Sequence, residues 1–414
     1  MTQSLRIIHH PLPFGLLDQD AVTIVRRLRR FGHSAFLVGG CLRDLLLGVQ
    51  PKDFDIATSA HPREIKKLFR NCRLIGRRFR LAHLLYRDRK IVEVATFRRA
   101  PTPEEEADPD LSGDNLFGSA QEDANRRDFT INALFYDVQH GEFHDFVGGV
   151  ADIERRLVRT IGDADARIPE DPVRILRAVK FASRLNLVLD PSLREALERH
   201  AQSITRSAQP RVLEEIFRLL RPGCGAKAMA LAHEIKVLRE IVPEASGALE
   251  NPAIRSALLE DLGRADTMIK EGRALSDAVL LSTLLWRPIS RAMNGCDNVS
   301  RAIEEFLQPL ALRLCVPKRI MSRLRQVVFA QRRLRHPERK RSRQIIGREF
   351  FGEALDLLEI TSGSPETLSL ACQWRDMARG GDAIRNATPP PLPRPRRRRR
   401  NHSRTGTKPA ETVP

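Results

Sequence analysis

Apolar positions near the start of this chain come in short or alternating runs, whereas from about residue 190 to 380 they recur at helical spacing. Ala35 to Val38 is an unbroken apolar run of strand length. Gly39-Gly40 follows it, and Cys41 to Leu47 reads as a short helix stopped by Gly48. Upstream, Ala21, Ile24, Val25 and Leu28 share one face of a helix that Asp18 or Asp20 can cap and Gly32 can end. The segment 1–16, with Pro11 and Pro13, reads as an irregular extension. His61-Pro62 opens a further helix expected to end near Asn71. Strand signals run from Cys72 to Tyr86 and from Ile91 to Phe97. In the second run Val92, Val94 and Thr96 share one face, and Glu93 shares the other with Ile91, Ala95 and Phe97. Residues 100–118 are rich in proline and acid and read as a peripheral loop. Pro172 stands in the first turn of a helix whose Val173, Leu176, Val179 and Ala182 can face a core. Leucine-rich amphipathic segments then alternate with breaks at Pro210, Gly223, Pro243, Pro252, Pro288 and Pro317. The pattern predicts an α+β head followed by all-α regions. The expected divisions are an extension at 1–16, a head at 17–150, a helical neck at 151–225, a helical body at 226–386 and a disordered Pro/Arg-rich tail at 387–414.

Composition narrows the partners. The chain has 414 residues, 42% hydrophobic and 29% charged, enough for a sizeable core. Its formal net charge of +18 favours a polyanion, nucleic acid before an anionic membrane. The tail explains part of that charge: Arg394, Arg396 to Arg400, Arg404 and Lys408 stand against Glu411 alone, a net of seven. Six cysteines form no Cys-x-x-Cys pair, which argues against a zinc ribbon and for reduced thiols. The N-terminus has no apolar signal core and no uncharged run reaches membrane-spanning length, so a cytoplasmic protein is expected.

Chemistry is concentrated around the first strand. A strand, Gly-Gly and helix start present free backbone N–H groups to an anion, and Arg43 can reach the same anion. In Asp53-Phe54-Asp55 both carboxylates fall on one face, where they repel unless a cation sits between them. Such hard oxygen ligands beside a phosphate cradle suit Mg²⁺ and phosphoryl or nucleotidyl transfer. The bland alternative is a polar strand end beside an ordinary turn. Glu93 has two readings, a third metal ligand or an edge-strand glutamate in water. In a second cluster Arg126 and Arg127 offer forked phosphate donors, and Asp128 starts a short helix. Gly148-Gly149 is either a hinge between head and neck or a plain turn.

These stretches resemble the polymerase-beta-type nucleotidyltransferases, in the class that unites bacterial poly(A) polymerases with tRNA CCA-adding enzymes. Four ordered signatures carry the resemblance across roughly residues 17–220: Gly39-Gly40-x-x-Arg43 with Asp53-x-Asp55; Arg126-Arg127-Asp128-Phe129-Thr130-x-Asn132-Ala133; Asp145-x-x-Gly148-Gly149-x-x-Asp152; and Glu170-Asp171-x-x-Arg174-x-Leu176-Arg177. Ile153 follows the third, where leucine is usual. The resemblance implies a five-stranded mixed sheet in the head and two Mg²⁺ ions, with Mn²⁺ as a substitute, held by Asp53 and Asp55. Glu93 is the further candidate. Asp128 becomes the third active-site carboxylate by position, and Gly39, Gly40, Arg43, Arg127, Asn132, Asp171, Arg174 and Arg177 serve the nucleotide.

The fourth signature looks like the one that reads the incoming base. Adenine and cytosine each present an amino donor beside a ring-nitrogen acceptor, which an Asp acceptor and an Arg donor match. Guanine and uracil present the reverse order, and each mismatched buried group costs about 1–3 kcal/mol. The implied activity is addition of AMP from ATP to RNA 3′ ends without a template, by a monomer whose tail can add weak RNA or protein contacts. The run Leu68 to His83 resembles the poly(A) branch, with Arg80-Leu81 where CCA-adding enzymes more usually have Gly-Thr or Gly-Val. CCA addition is the alternative within the class, and a catalytically dead RNA-binding protein the alternative outside it. A P-loop NTPase is excluded because no Gly-x-x-x-x-Gly-Lys-Ser/Thr occurs.

Overall fold

A computed structural model describes residues 5–76, 81–102, 105, 116–339, 342–362 and 365–387. The head is built on one mixed sheet of strands β1 (Arg6–His9), β2 (Ala35–Val38), β3 (Asp55–Thr58), β4 (Cys72–Ile75), β5 (Leu81–Leu85), β6 (Ile91–Thr96), β7 (Leu134–Asp137) and β8 (Glu142–Asp145). Their order is β1-β8-β7-β2-β3-β6-β5-β4. Only the β3–β6 pair is parallel, and it sets Asp55 level with Glu93.

Eight strands replace the five expected. One of the additional edge strands, β1, lies inside the segment read as irregular and pairs antiparallel with β8. Three of its four residues are exposed, so no apolar alternation marks it.

Central β2 is buried at every position because both faces of the sheet are covered. Leu37 packs with the helix Gln19–Arg30, whose Ala21, Val22, Ile24, Val25 and Leu28 are buried. The Asp18 side chain starts that helix by accepting from Asp20 N at 2.9 Å and Ala21 N at 3.1 Å. Phe36 and Val38 point the other way, into a cluster with Phe97, Phe135 and Phe146.

Beyond a two-residue strand pair, Leu157–Val158 with Val188–Leu189, the regular structure of the remaining described residues is helical. Its hydrophobic interior is continuous with that of the head. The helix expected from Pro172 begins instead at Arg174, after a helix at Ala164–Glu170. Proline disfavours helical backbone in the residue before it, and Asp171 accordingly sits at φ −141° between the two helices.

The Gly148-Gly149 turn is bonded, not open. Asp145, buried, accepts the N–H groups of Val147, Gly148, Gly149 and Val150 at 2.8–3.2 Å. A Cβ on Gly149 would stand 2.3 Å from the Thr130 carbonyl oxygen. The turn is thus tightly held at the start of the helix Gly149–Glu154, as the plain-turn reading expects.

The described cysteines are all free thiols. Among the described residues no helix is long and apolar enough to cross a membrane.

Candidate active site

The β2–helix junction supplies the floor of the site. Gly39 has φ +80°, and a side chain there would meet Arg127 Nη1 at 3.2 Å. The helix Gly40–Leu46 starts directly after it. Arg43 is buried and already engaged: Nη1 donates to Asn132 Oδ1 at 2.6 Å, and Nε and Nη2 donate to Asp44 Oδ1 at 2.8 and 2.6 Å. Its guanidinium also lies 5.0 Å from the Phe181 ring centre, on the helix Arg174–Leu185. Arg43 is thus held in place at the rim of the cradle, not swinging free.

Arg127 is held in the same manner. Nε and Nη2 donate to Asp123 Oδ2 at 3.3 and 3.0 Å, and Nη1 donates to the Asn132 carbonyl at 2.9 Å. Asp123 also takes Arg126 at 2.7 Å. Asp128 does not start a regular α-helix; it precedes the 3₁₀ turn Thr130–Asn132 and accepts from Phe129 N at 2.8 Å and Asn132 Nδ2 at 3.2 Å. Its other oxygen is 2.6 Å from Arg177 Nη2, a charge contact without aligned hydrogen-bond geometry. That pair ties the head to the helix Arg174–Leu185.

Base-reading candidates have partners of their own. Asp171 accepts both arms of Arg211 at 2.9 and 2.7 Å. Arg174 Nη1 donates to Glu170 at 2.9 Å and to the Arg167 carbonyl. Arg167 in turn donates to the carbonyls of Arg126 and Arg127 at 2.9 and 2.8 Å, joining the second and fourth signatures.

All eight residues expected to serve the nucleotide line one cavity of about 550 Å³, together with Asp55 and Asp128. Five arginines against three aspartates make it cationic, the sign a triphosphate requires. Asp53 and Glu93 are not in its lining. Asp53 is exposed just before β3, while Glu93 stands across from Asp55 with its carboxylate 3.3 Å from His83 Nε2.

Asp55 keeps an exposed edge at the start of β3, yet the protein packed around its carboxyl pushes it up to about 6; Glu93 adds to the rise, Arg127 opposes it, and Asp53 adds again. Crowded acids of this kind are what a divalent cation relieves. Among the described residues no set of three or more acidic, histidine or cysteine side chains converges as a ready-made metal cage. The arrangement suits Mg²⁺, which commonly uses one or two carboxylates plus substrate phosphates.

Sequence reasoning missed Asp44, Asp123, Glu170, Arg167 and Arg211. Asp44, Asp123 and Glu170 sit inside or beside the quoted signatures, and the signal was a carboxylate placed near a candidate nucleotide-binding arginine. Arg211 carried no such signal.

Comparison with known proteins accords with this geometry. Residues 35–159 match the family model of the poly(A) polymerase head domain. Residues 186–249 match a probable RNA and SrmB-binding site of polymerase A, and 291–405 match the polymerase A arginine-rich C-terminus. The chain is 35% identical over 383 residues to poly(A) polymerase I of Salmonella typhi, covering 87% of this chain and 82% of that protein. It is 38% identical to the CCA-adding enzyme of Geobacillus thermodenitrificans over 216 residues, covering 52% of each. The solved structure of the Bacillus stearothermophilus CCA-adding enzyme in complex with CTP superposes with a TM-score of 0.66 at 25% identity, covering 87% of this chain and 82% of that one.

Proposed function

The chain belongs to the poly(A) polymerase family of nucleotidyltransferases, and from that premise we propose that it extends RNA 3′ ends with AMP from ATP, releasing pyrophosphate and using no template. The observation that carries the reading is the single cationic cavity in which the nucleotide-binding candidates of three separate signatures meet Asp55. Similarity to poly(A) polymerase I runs over 87% of the chain, and similarity to the CCA-adding enzyme over 52%. That contrast favours the poly(A) reaction over CCA addition.

Asp53 and Asp55, with Glu93 alongside, would hold magnesium ions, two in the reading favoured here and replaceable by manganese. When bound these neutralise phosphate charge and favour ionisation of the attacking hydroxyl. The chain's own residues do the rest. Arg127 and Arg43, anchored by Asp123 and Asp44, offer preorganised positive charge to the triphosphate. Gly39 keeps side-chain atoms out of the space beside Arg127. Asp128, the third catalytic carboxylate in this reading, lines the same cavity as Asp55 and is held there by Arg177.

Both hydrogen bonds that the Arg174 guanidinium makes to Glu170 and Arg167 use Nη1, which leaves Nη2 to donate to a ring nitrogen. Each Asp171 oxygen accepts one hydrogen bond from Arg211 and keeps a second lone pair for an exocyclic amino group. Adenine can therefore be read without dismantling the Asp171–Arg211 pair. The divisions near residues 150, 225 and 386 and a cytoplasmic location are part of the same proposal.

The Asp53→Ala/Asp55→Ala variant should lose AMP incorporation by at least 100-fold, the order expected when a charge-stabilising element is removed, and keep RNA binding. Incorporation at the wild-type rate would refute the assignment of these carboxylates.

A further inference from the structure

A second concentration of positive charge lies away from the catalytic cavity and is built differently. The helix Lys318–Leu334 closes with Arg332 and Arg333, and Arg335 follows as its C-cap. Nearby arginines are consumed by carboxylates: Arg287 by Asp261, Arg313 by Glu244, Arg325 by Glu304. Arg332, Arg333 and Arg335 are exposed and have no carboxylate partner among the described residues. Two of them lie over aromatic rings instead. Arg333 is 5.9 Å from the Phe329 ring centre and Arg335 is 6.0 Å from that of Trp286. Trp286 comes from the helix Asp277–Met293, so the layer joins two helices that are not consecutive in the chain.

Arg332 and Arg335 are shared by two adjoining cavities of about 490 and 520 Å³. The first offers Trp286, Ser290 and Asn294; the second is lined by Phe329, four arginines and His336. Neither lining contains an acidic residue. Phe329 is 36% exposed, although a helix of this kind could have buried it.

Glu338 pairs with His336 and Arg339 at one end, and Asp261 with Arg287 at the other, which leaves Arg332, Arg333 and Arg335 as the uncompensated centre of the groove. Such a centre, with an exposed aromatic ring beside it, has the chemistry of a single-stranded nucleic-acid track. Arginines meet phosphates, and rings or guanidinium planes stack on bases. A duplex would offer phosphates but keep its bases stacked away from Phe329. An acidic peptide would use the charge and leave the ring without a partner.

We propose that this double cavity binds unpaired RNA nucleotides away from the reacting 3′ end. A base stacks on Phe329, a neighbouring base lies on the Arg335 plane above Trp286, and the linking phosphates sit on Arg332 and Arg333. The site is separate from residues 186–249, which match the RNA-binding family model, and most of its lining falls within 291–405, which match the arginine-rich C-terminus. The proposal rests on the reading of the chain as an enzyme that extends RNA.

The test uses the full chain and a labelled single-stranded oligoribonucleotide, with Kd measured across a salt series for two variants that melt at the wild-type temperature. Phe329→Ala should weaken binding about tenfold, the loss of one stacked base. Arg332→Ala/Arg333→Ala/Arg335→Ala should weaken it further and flatten the log–log salt slope by about 1.4, from two phosphate contacts at roughly 0.7 each. ATP affinity in the absence of RNA should stay unchanged in both.

Wild-type affinity and slope in both variants would overturn the site. A flattened slope with Phe329→Ala at wild-type affinity would also overturn it, leaving a plain polyanion patch. A wild-type chain that binds RNA yet incorporates no AMP would count against the enzymatic reading and not against the groove, so the two failures are distinguishable.

Discussion

Asp171 holds both arms of Arg211 and still has an unused lone pair on each oxygen. In the proposed base reading, its value lies in being an acceptor only. In Asp171→Asn one oxygen becomes an NH₂ donor, which suits the carbonyl edge of guanine and leaves adenine's amino group opposed. The kcat/KM ratio for ATP over GTP should fall at least about fivefold, from a mismatch cost of about 1–3 kcal/mol. Single-nucleotide incorporation with each triphosphate measures it, and an unchanged ratio would remove Asp171 from base recognition. The three-residue step from Asp171 to Arg174 was legible in the sequence, and both side chains do reach one cavity. Their actual partners were not legible. Arg211 lies forty residues away on another helix, and only the packing of Gln209–Leu220 brings it alongside. Arg43 and Arg127 show the same division: the cationic type was evident, but their fixed orientation depends on Asp44 and Asp123.

At the scale of elements, the Asp145–Val150 turn and the helix break at Asp171 do the positioning. The turn presses Gly149 against the Thr130 carbonyl, on the segment that carries Asp128 and Asn132. Gly149→Ala should cost about 1–3 kcal/mol from overpacking. Gly247→Ala, in the helix Pro243–Glu250 with open space around it, should instead stabilise by about 0.4–1 kcal/mol. Paired thermal melts check this, and equal shifts of the same sign would contradict the packing argument. Strand β2 was readable to the residue because burial on both faces leaves a continuous apolar run. Edge strand β1 was not, since its side chains face water and its existence rests on backbone pairing with β8. The two glycines read equally well as hinge or turn, because sequence shows permissive backbone but not the carboxylate that binds four N–H groups.

Across the whole molecule, charge is arranged in layers of different purpose. The formal +18 indicated a polyanionic partner, and the structure separates that charge into arginines anchored in the cavity and arginines left unpaired on the distal groove. The Arg-rich tail and residues 77–80 of the branch-distinguishing run lie outside the described residues. The catalytic head and the helical remainder were legible as classes because signature spacing and helical periodicity are local properties. Product choice is a property of the assembled pocket and of how RNA is held. The most direct measurement therefore gives the purified chain either a generic RNA or a tRNA lacking its CCA end, each with ATP alone or with ATP and CTP, and resolves the products by length. Long adenylate tails on the generic RNA from ATP alone are predicted. Growth confined to the truncated tRNA, limited to its CCA end and dependent on CTP, would contradict the account.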